Sequence, residues 1–274
     1  ALSHQVKALE GFLELALFER HNRKIVLTSS GRTLHVGLQE AFRNIESSIE
    51  AIRPRQDNNV LVVSTGPAFA AKWFAPRLAN LMQSLPDLDI RLSASLSASS
   101  FGSDGVDFAI RFGAGKYPNL FSQRLLGETL HPMASPEFLE SNPVRSTKDL
   151  ESLPLVHDES LKPFIDEPDW TDWFADNGLN TAKAARGTRF YLADHAIDAA
   201  IGGAGVILGR EVLCSTDAQA GRLAYLPVPA LPTKLAFYAV CPKGRETMPK
   251  EAAFLKWLVD EIASSADNTI QHSV

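Results

Sequence analysis

Leu2, Val6, Leu9 and Leu13 recur at helical spacing with Phe12 beside them. Residues 2–13 therefore read as an amphipathic helix, with Ser3, His4, Gln5 and Lys7 mostly off its apolar stripe. Nothing ahead of Ala1 can satisfy its first amides, so the chain reads as opening inside a helix. After Leu17 and Phe18, Asn22 marks a turn and Ile25 to Leu27 a short strand. A second helix starts from about Arg32, with Thr28, Ser29 or Ser30 as its cap. Its stripe is Leu34, Leu38, Phe42, Ile45, Ile49 and Ile52, the seam of a coiled coil. Such a seam pairs with a second copy of itself or, on the blander reading, packs on its own C-terminal domain. The helix ends at Pro54 in the polar stretch PRQDNN, a linker.

Beyond Asn59 the signals alternate. VLVVST reads as a buried strand, and Pro67 to Ser84 as helical, with a break or kink at Pro76. LDIRLSAS, VDFAIRF, LPLVHD, TRFYL, GVILG and LAFYAV read as further strands. Between and after them come helices at Trp170–Asn177, from about Asp194 to Gly202 with Asp194 as cap, and near Pro249–Ala263. Strands separated by helices predict an α/β domain with parallel sheets, long enough here for two subdomains with a crevice between them.

The chain has 274 residues, 45% of them hydrophobic, which excludes a disordered or fibrous class. No apolar run is long enough for a membrane span and no signal-peptide pattern opens the chain, so the expected location is the cytoplasm, with no membrane partner. Cys214 and Cys241 lack metal-ligand spacing; they read as buried hydrophobes, with a disulfide between them as the alternative. Net charge is −5, yet residues 1–33 carry Lys7, Arg20, Arg23, Lys24 and Arg32 against three glutamates. A small basic module joined to an acidic one is the pattern expected when only the front end meets phosphate.

Candidate enzyme motifs fail on context. GAGKY, Gly113 to Tyr117, has Tyr117 where a phosphate loop needs Ser or Thr and Ile110 where it needs its first glycine. IGGAGVILG follows a helix and leads into a strand, the reverse of a dinucleotide fingerprint. There is no G-x-S-x-G elbow, and His157, Asp158 and Glu159, adjacent in an extended segment, cannot grip one metal ion. The expectation is no catalytic residue, no metal and no cofactor.

Binding has better support, because open α/β sheets hold ligands at the carboxyl ends of their strands. In the first subdomain those places are Ser64, Thr65 and Gly66, the stretch from Ser93 through Ala94 and Ser95 to Ser100, and Phe112 with Gly113. In the second they are His157 with Asp158, Tyr191 through Ala193 to Asp194, and Gly205 to Ile207.

The run LSHQVKALEGFLELALFERHNRKIVLTSSG resembles the second half of the winged helix-turn-helix of LysR-type transcriptional regulators. Ser3, Val6, Leu9-Glu10, Leu17-Phe18-Glu19-Arg20, Arg23-Lys24 and Leu27-Thr28-Ser29-Ser30-Gly31 fill that family's places. FAAKWFAPRLANLMQSLPDLDIRLSAS, DGVDFAIRFGAGKYPNL, AAIGGAGVILG and AVCPKG resemble most its subgroup of glycine-cleavage and beta-lactamase-gene regulators. The resemblance covers essentially the whole chain and implies an α/β, periplasmic-binding-protein-like effector domain of two Rossmann-like subdomains, preceded by a partial winged helix-turn-helix and a long linker helix. The implied boundaries are 1–31 for the DNA-binding part, 32–57 for the dimerisation helix and hinge, and 58–274 for the effector domain. Within the last, subdomain I takes about 58–130 and 236–264, and subdomain II about 131–235.

The family's first helices are absent here, which implies that this chain alone binds operator poorly. Ala94, Leu192 and Ala193 depart from the hydroxyl residues of the beta-lactamase regulators, which counts against a muropeptide ligand, while Tyr238 matches one of their tyrosines. The resemblance places Ser3, His4 and Lys7 on the groove-facing side of the recognition helix, Gln5 at its edge, and Arg20, Arg23 and Lys24 on the backbone beside the wing. The implied protein is a homodimer or homotetramer that binds operator or promoter DNA and changes DNA bend when a small-molecule effector closes the crevice. The competing expectation is a freestanding solute-binding protein of the same two-lobed fold.

Overall fold

A computed structural model describes residues 2–21, 24–52, 59–97, 99–101, 104–162 and 168–270. The chain divides into two compact units, one holding residues 1–56 and 102–105 and the other built from 57–101 and 106–274.

The front unit consists of α1 (Leu2–Leu13), β1 (Phe18–His21), β2 (Lys24–Leu27) and α2 (Ser29–Ile52). The strand at Ile25 was legible; its antiparallel partner β1, with Phe18 opposite Leu27, was not. The expected turn at Asn22 lies outside the described residues. Polar ties made by Glu10 and Thr28 help to fix this unit. Glu10 Oε1 accepts the amides of Leu17 and Phe18 at 2.8 and 3.1 Å, joining α1 to the start of β1. Thr28 Oγ1 accepts the Gly31 amide at 3.0 Å and donates to the Ala16 carbonyl at 2.7 Å, so Thr28 caps α2. A Cβ on Gly31 would collide with the Leu17 carbonyl oxygen, which explains the glycine three residues after the cap.

The larger unit opens with β3 (Val60–Thr65) and α3 (Pro67–Phe69), followed by a π-helical turn at Ala70–Phe74 and a 3-10 turn at Ala75–Arg77 that contains Pro76. Next come α4 (Leu78–Ser84), β4 (Asp89–Ala94), β5 (Phe108–Gly113) and β6 (Leu120–Ala134). The chain continues through α5 (Pro136–Ser141), β7 (Leu155–Asp158), α6 (Trp170–Asp176), α7 (Thr181–Ala184), β8 (Thr188–Phe190), α8 (Ala193–Ile201) and β9 (Val206–Arg210). It closes with α9 (Glu211–Gln219), β10 (Ala224–Tyr225), β11 (Leu231–Pro242) and α10 (Pro249–Ile270).

One sheet runs β4-β3-β5-β11-β6-β9-β7-β8, with β10 added to β6. Its two ends are parallel sets, β4-β3-β5 and β9-β7-β8, as the alternation predicts. The apolar runs VLVVST and VILGR form strands buried along almost their whole length. Between the sets lie β6 and β11, antiparallel to each other and to their outer neighbours, so the parallel expectation holds for each lobe and not for the sheet as a whole. The chain crosses from lobe I to lobe II on β6 and returns on β11.

One core cluster packs Trp73, Phe74, Phe108, Phe254 and Trp257 of lobe I together with Ile197 and Leu213 of α8 and α9. The other belongs to lobe II, where Trp170, Trp173 and Phe174 meet edge to face. The indole N–H groups of Trp170 and Trp173 donate to the carbonyls of Val156 and Pro229 at 3.0 and 2.7 Å. Asp194 does not cap α8: the N-cap is Leu192, whose side chain makes no cap hydrogen bond, and Asp194 sits in the first turn. Cys214 and Cys241 are both free and buried, so the disulfide alternative falls. Burial pushes the Cys214 thiol up and the Cys241 thiol up to about 11. Among the described residues no helix is long and apolar enough to cross a membrane.

Candidate effector crevice

The carboxyl ends of all six parallel strands meet around one crevice of about 540 Å³. From lobe I, β3 supplies Ser64, Thr65 and then Gly66, the segment after β4 supplies Ser95, Leu96 and Ser97, and β5 supplies Ile110, Arg111 and Phe112. From lobe II, Glu159 and Ser160 follow β7, Tyr191, Leu192 and Ala193 follow β8, and Arg210 ends β9. The crevice follows from the topology, since only where two parallel sets face each other do their strand ends leave a cleft between them.

Seven residues anticipated from sequence line it: Ser64, Thr65, Gly66, Ser95, Phe112, Tyr191 and Ala193. The other seven are placed elsewhere. Ser93 and Ala94 are exposed within β4, opposite Ser64 and Thr65 in register. Gly113 is buried in the ladder opposite Ala236. His157 is buried and its Nε2–H donates to the Arg186 carbonyl at 2.8 Å, a structural tie; burial, first of all, holds its pKa below the ordinary value. Asp194 lies one residue past the lining, with its buried Oδ1 lacking a hydrogen-bond partner. Ile207 is core, near the amino end of β9, three residues short of the end that reaches the crevice. Tyr238 stands behind the lining residue Tyr117, the two rings edge to face at 5.7 Å.

The lining residues missed from sequence include Arg111, Tyr117, Glu159, Ser160, Arg210 and Phe237. Arg210 is the most informative of them. Its guanidinium carbon lies 3.9 Å from the centroid of the Phe112 ring and 5.4 Å from that of Phe237, a cation–π seat in the crevice wall. Its Nε is 3.5 Å from Glu128 Oε2, and burial raises the Glu128 carboxyl even against the opposing pull of Arg210. Arg111 lies over Phe101 and Tyr117 and donates through Nη2 to the Ser99 carbonyl at 2.7 Å. Glu159 Oε1 is held by Lys162 at 2.6 Å and Arg189 at 2.9 Å. Among the described residues no cluster of three His, Cys, Asp or Glu side chains could hold a metal ion.

In the front unit, His4, Gln5 and Lys7 are exposed on α1. Arg23 and the side chains of Ser3, Arg20 and Lys24 lie outside what the structure describes. Of the expected seam on α2, Leu34 is half-buried and Leu38, Phe42 and Ile45 are exposed; the Ile49 and Ile52 side chains lie outside the described set.

Two parallel lobes joined by a pair of long antiparallel strands and facing one crevice define a two-lobed effector-binding domain, here on a chain that also carries a helix, a hairpin and a long helix. Residues 54–263 match the LysR substrate binding domain, and residues 1–32 match the bacterial regulatory helix-turn-helix protein, lysR family. The chain belongs to the LysR family and is a LysR-type transcriptional regulator. It is 34% identical over 268 residues to the glycine cleavage system transcriptional activator of Escherichia coli (strain K12), spanning 97% of this chain and 86% of that protein. The effector domain of the transcriptional regulator AmpR of Pseudomonas aeruginosa shares the fold, with a TM-score of 0.62 at 24% identity over 77% of this chain and 99% of that one. CrgA, a LysR-type transcriptional regulator from Neisseria meningitidis, matches with a TM-score of 0.58 at 21% identity over 95% of this chain and 88% of its own.

Proposed function

We propose that the crevice is the effector site of this regulator, that residues 1–31 carry its DNA contacts, and that residues 32–57 pair two copies. The observation that supports this most is the convergence of six strand ends on one cavity, the position at which open α/β sheets hold small ligands. Ser3, His4, Gln5 and Lys7 on α1 would read the groove, with Arg20, Arg23 and Lys24 on the phosphates beside it. Leu38, Phe42 and Ile45, exposed along one helix, give α2 an apolar stripe suited to a second copy in a homodimer or homotetramer. Among the described residues the lining holds no His or Cys, and the chain's named relatives are transcriptional regulators, which favours binding over turnover. A DNA-bound role places the protein in the cytoplasm.

Gly66 offers a direct test. It has ordinary extended geometry, φ −70° and ψ 148°, and a Cβ there meets nothing within 4 Å. Gly66→Trp therefore fills the crevice without backbone strain. Small molecules that raise the melting temperature of the parent protein should leave that of Gly66→Trp unchanged. Equal stabilisation of both proteins would place the effector elsewhere.

A further inference from the structure

Among the described residues, three that line the crevice carry buried polar atoms with no hydrogen-bond partner: Thr65 Oγ1, Ser160 Oγ, and Nε and Nη2 of Arg210. Thr65 and Arg210 are only 4% and 7% exposed. Buried polar groups are normally paired, so a cluster of unpaired ones in one cavity is a statement about what the cavity is built to hold. Their chemistry agrees: a hydroxyl can donate, and a guanidinium can do nothing else.

Arg210 is held ready for such a role. Phe112 and Phe237 fix its guanidinium plane, and the nearest carboxylate, Glu128, engages it weakly: 3.5 Å is beyond a good hydrogen bond. The other oxygen of Glu128 is occupied by the amides of Val212 and Thr129 at 3.1 and 3.2 Å. A second cation, Arg111, also lines the crevice and pairs with a carbonyl, and among the described residues no carboxylate lies within ion-pair distance of it. Among the described lining residues the one carboxylate is Glu159, already engaged by two cations; Asp194, with its unpaired buried Oδ1, lies one residue past the lining. The described lining therefore offers donors and positive charge to a ligand, and no unengaged carboxylate. Phe69, Leu213 and Phe237 give the rest of the wall an apolar character that suits an organic body rather than a bare inorganic ion.

On the reading of the crevice as the effector site, we infer that the effector is a small organic carboxylate without an ammonium group, its carboxylate taken by Arg210 and its oxygens met by the Thr65 and Ser160 hydroxyls. A planar carboxylate matches the guanidinium fork, and the described lining presents no unengaged carboxylate to an ammonium group, which disfavours zwitterionic amino acids. Thr65 belongs to lobe I and Ser160 and Arg210 to lobe II, so one bound anion engages both lobes.

Titration calorimetry and thermal shift on the full chain test this with acetate, succinate and benzoate as probes, set against benzamide, glycine and inorganic phosphate. The carboxylates should bind and the other three should not. Thr65→Val removes a hydroxyl that has no protein partner, so it should keep or raise the melting temperature while weakening carboxylate binding about tenfold. Arg210→Met, made together with Glu128→Gln so that no buried charge is stranded, should weaken it by about a hundredfold. Silence from every carboxylate, equal binding of glycine, benzamide or phosphate, or undiminished affinity in Thr65→Val would overturn the inference. A ligand of another class that stabilises the parent protein and not Gly66→Trp would sink the carboxylate assignment while leaving the crevice as effector site. Carboxylate stabilisation that persists in Gly66→Trp would sink both.

Discussion

The two units of this regulator treat the same kinds of side chain in opposite ways. In the effector unit Trp73, Trp170, Trp173, Phe174 and Phe254 are buried in two clusters formed by the chain itself. In the front unit Phe12 is 84% exposed and Phe42 62%, and among its described hydrophobic residues Leu17 alone is buried. The first unit is held by core packing. The second is held by the few polar ties that Glu10 and Thr28 make and by the close approach at Gly31, and its apolar faces remain available for association.

Substitutions can break or sharpen that contrast. The largest effect is expected from Trp173→Ala, which empties the lobe II cluster and strips the Pro229 carbonyl of its donor. It should cost about 3–5 kcal/mol in urea unfolding followed on the effector unit. Gly31→Ala should act on the front unit alone, at about 1–3 kcal/mol, because the added methyl forces the Leu17 carbonyl and α2 apart. Hydrogen exchange would check it: protection should fall at the Leu17 and Thr28 amides and stay constant in β3 and β9. Smallest in stability is the double change Phe42→Ser, Ile45→Ser, within about 0.5 kcal/mol for unfolding of the chain. Its effect should appear instead in sedimentation velocity, as weaker self-association; an unchanged oligomer would mean that the α2 stripe is not the pairing surface.

Much of the fold was legible because burial on both faces leaves a plain mark. VLVVST and GVILG are apolar runs bounded by turn residues, and both are central parallel strands. β6 was not legible. Its fifteen residues, LFSQRLLGETLHPMA, pass from one lobe to the other, so their burial shifts from mostly half-exposed to buried with no steady period, and Gly127 and Pro132 interrupt what pattern there is. β1 was missed for a related reason: FERH is four residues with one apolar side chain, and only its pairing with β2 makes it a strand.

The crevice lining was legible to within a few residues. The rule that ligands sit at strand carboxyl ends leads to the crevice, yet on VILGR it was applied at Ile207, near the amino end, and so passed over Arg210. On LVHD it took His157 with Asp158 and stopped one residue before Glu159, and the histidine serves the Arg186 carbonyl. That Thr65, Ser160 and Arg210 lack partners is a property of the packed cavity, and no spacing in the sequence encodes it.

The paired strands β6 and β11 have a mechanical meaning. The backbone passes between the lobes only along these two ribbons, which are bonded side by side from Leu120 opposite Pro242 to Leu130 opposite Leu231, with slips in register between Pro232 and Ala236 and between Phe237 and Tyr238. The irregular rungs of this pair include Phe237, in the crevice wall. Any swivel of one lobe against the other would wind both ribbons together, and a ligand on Arg210, which sits against Phe237, would act beside those irregular rungs.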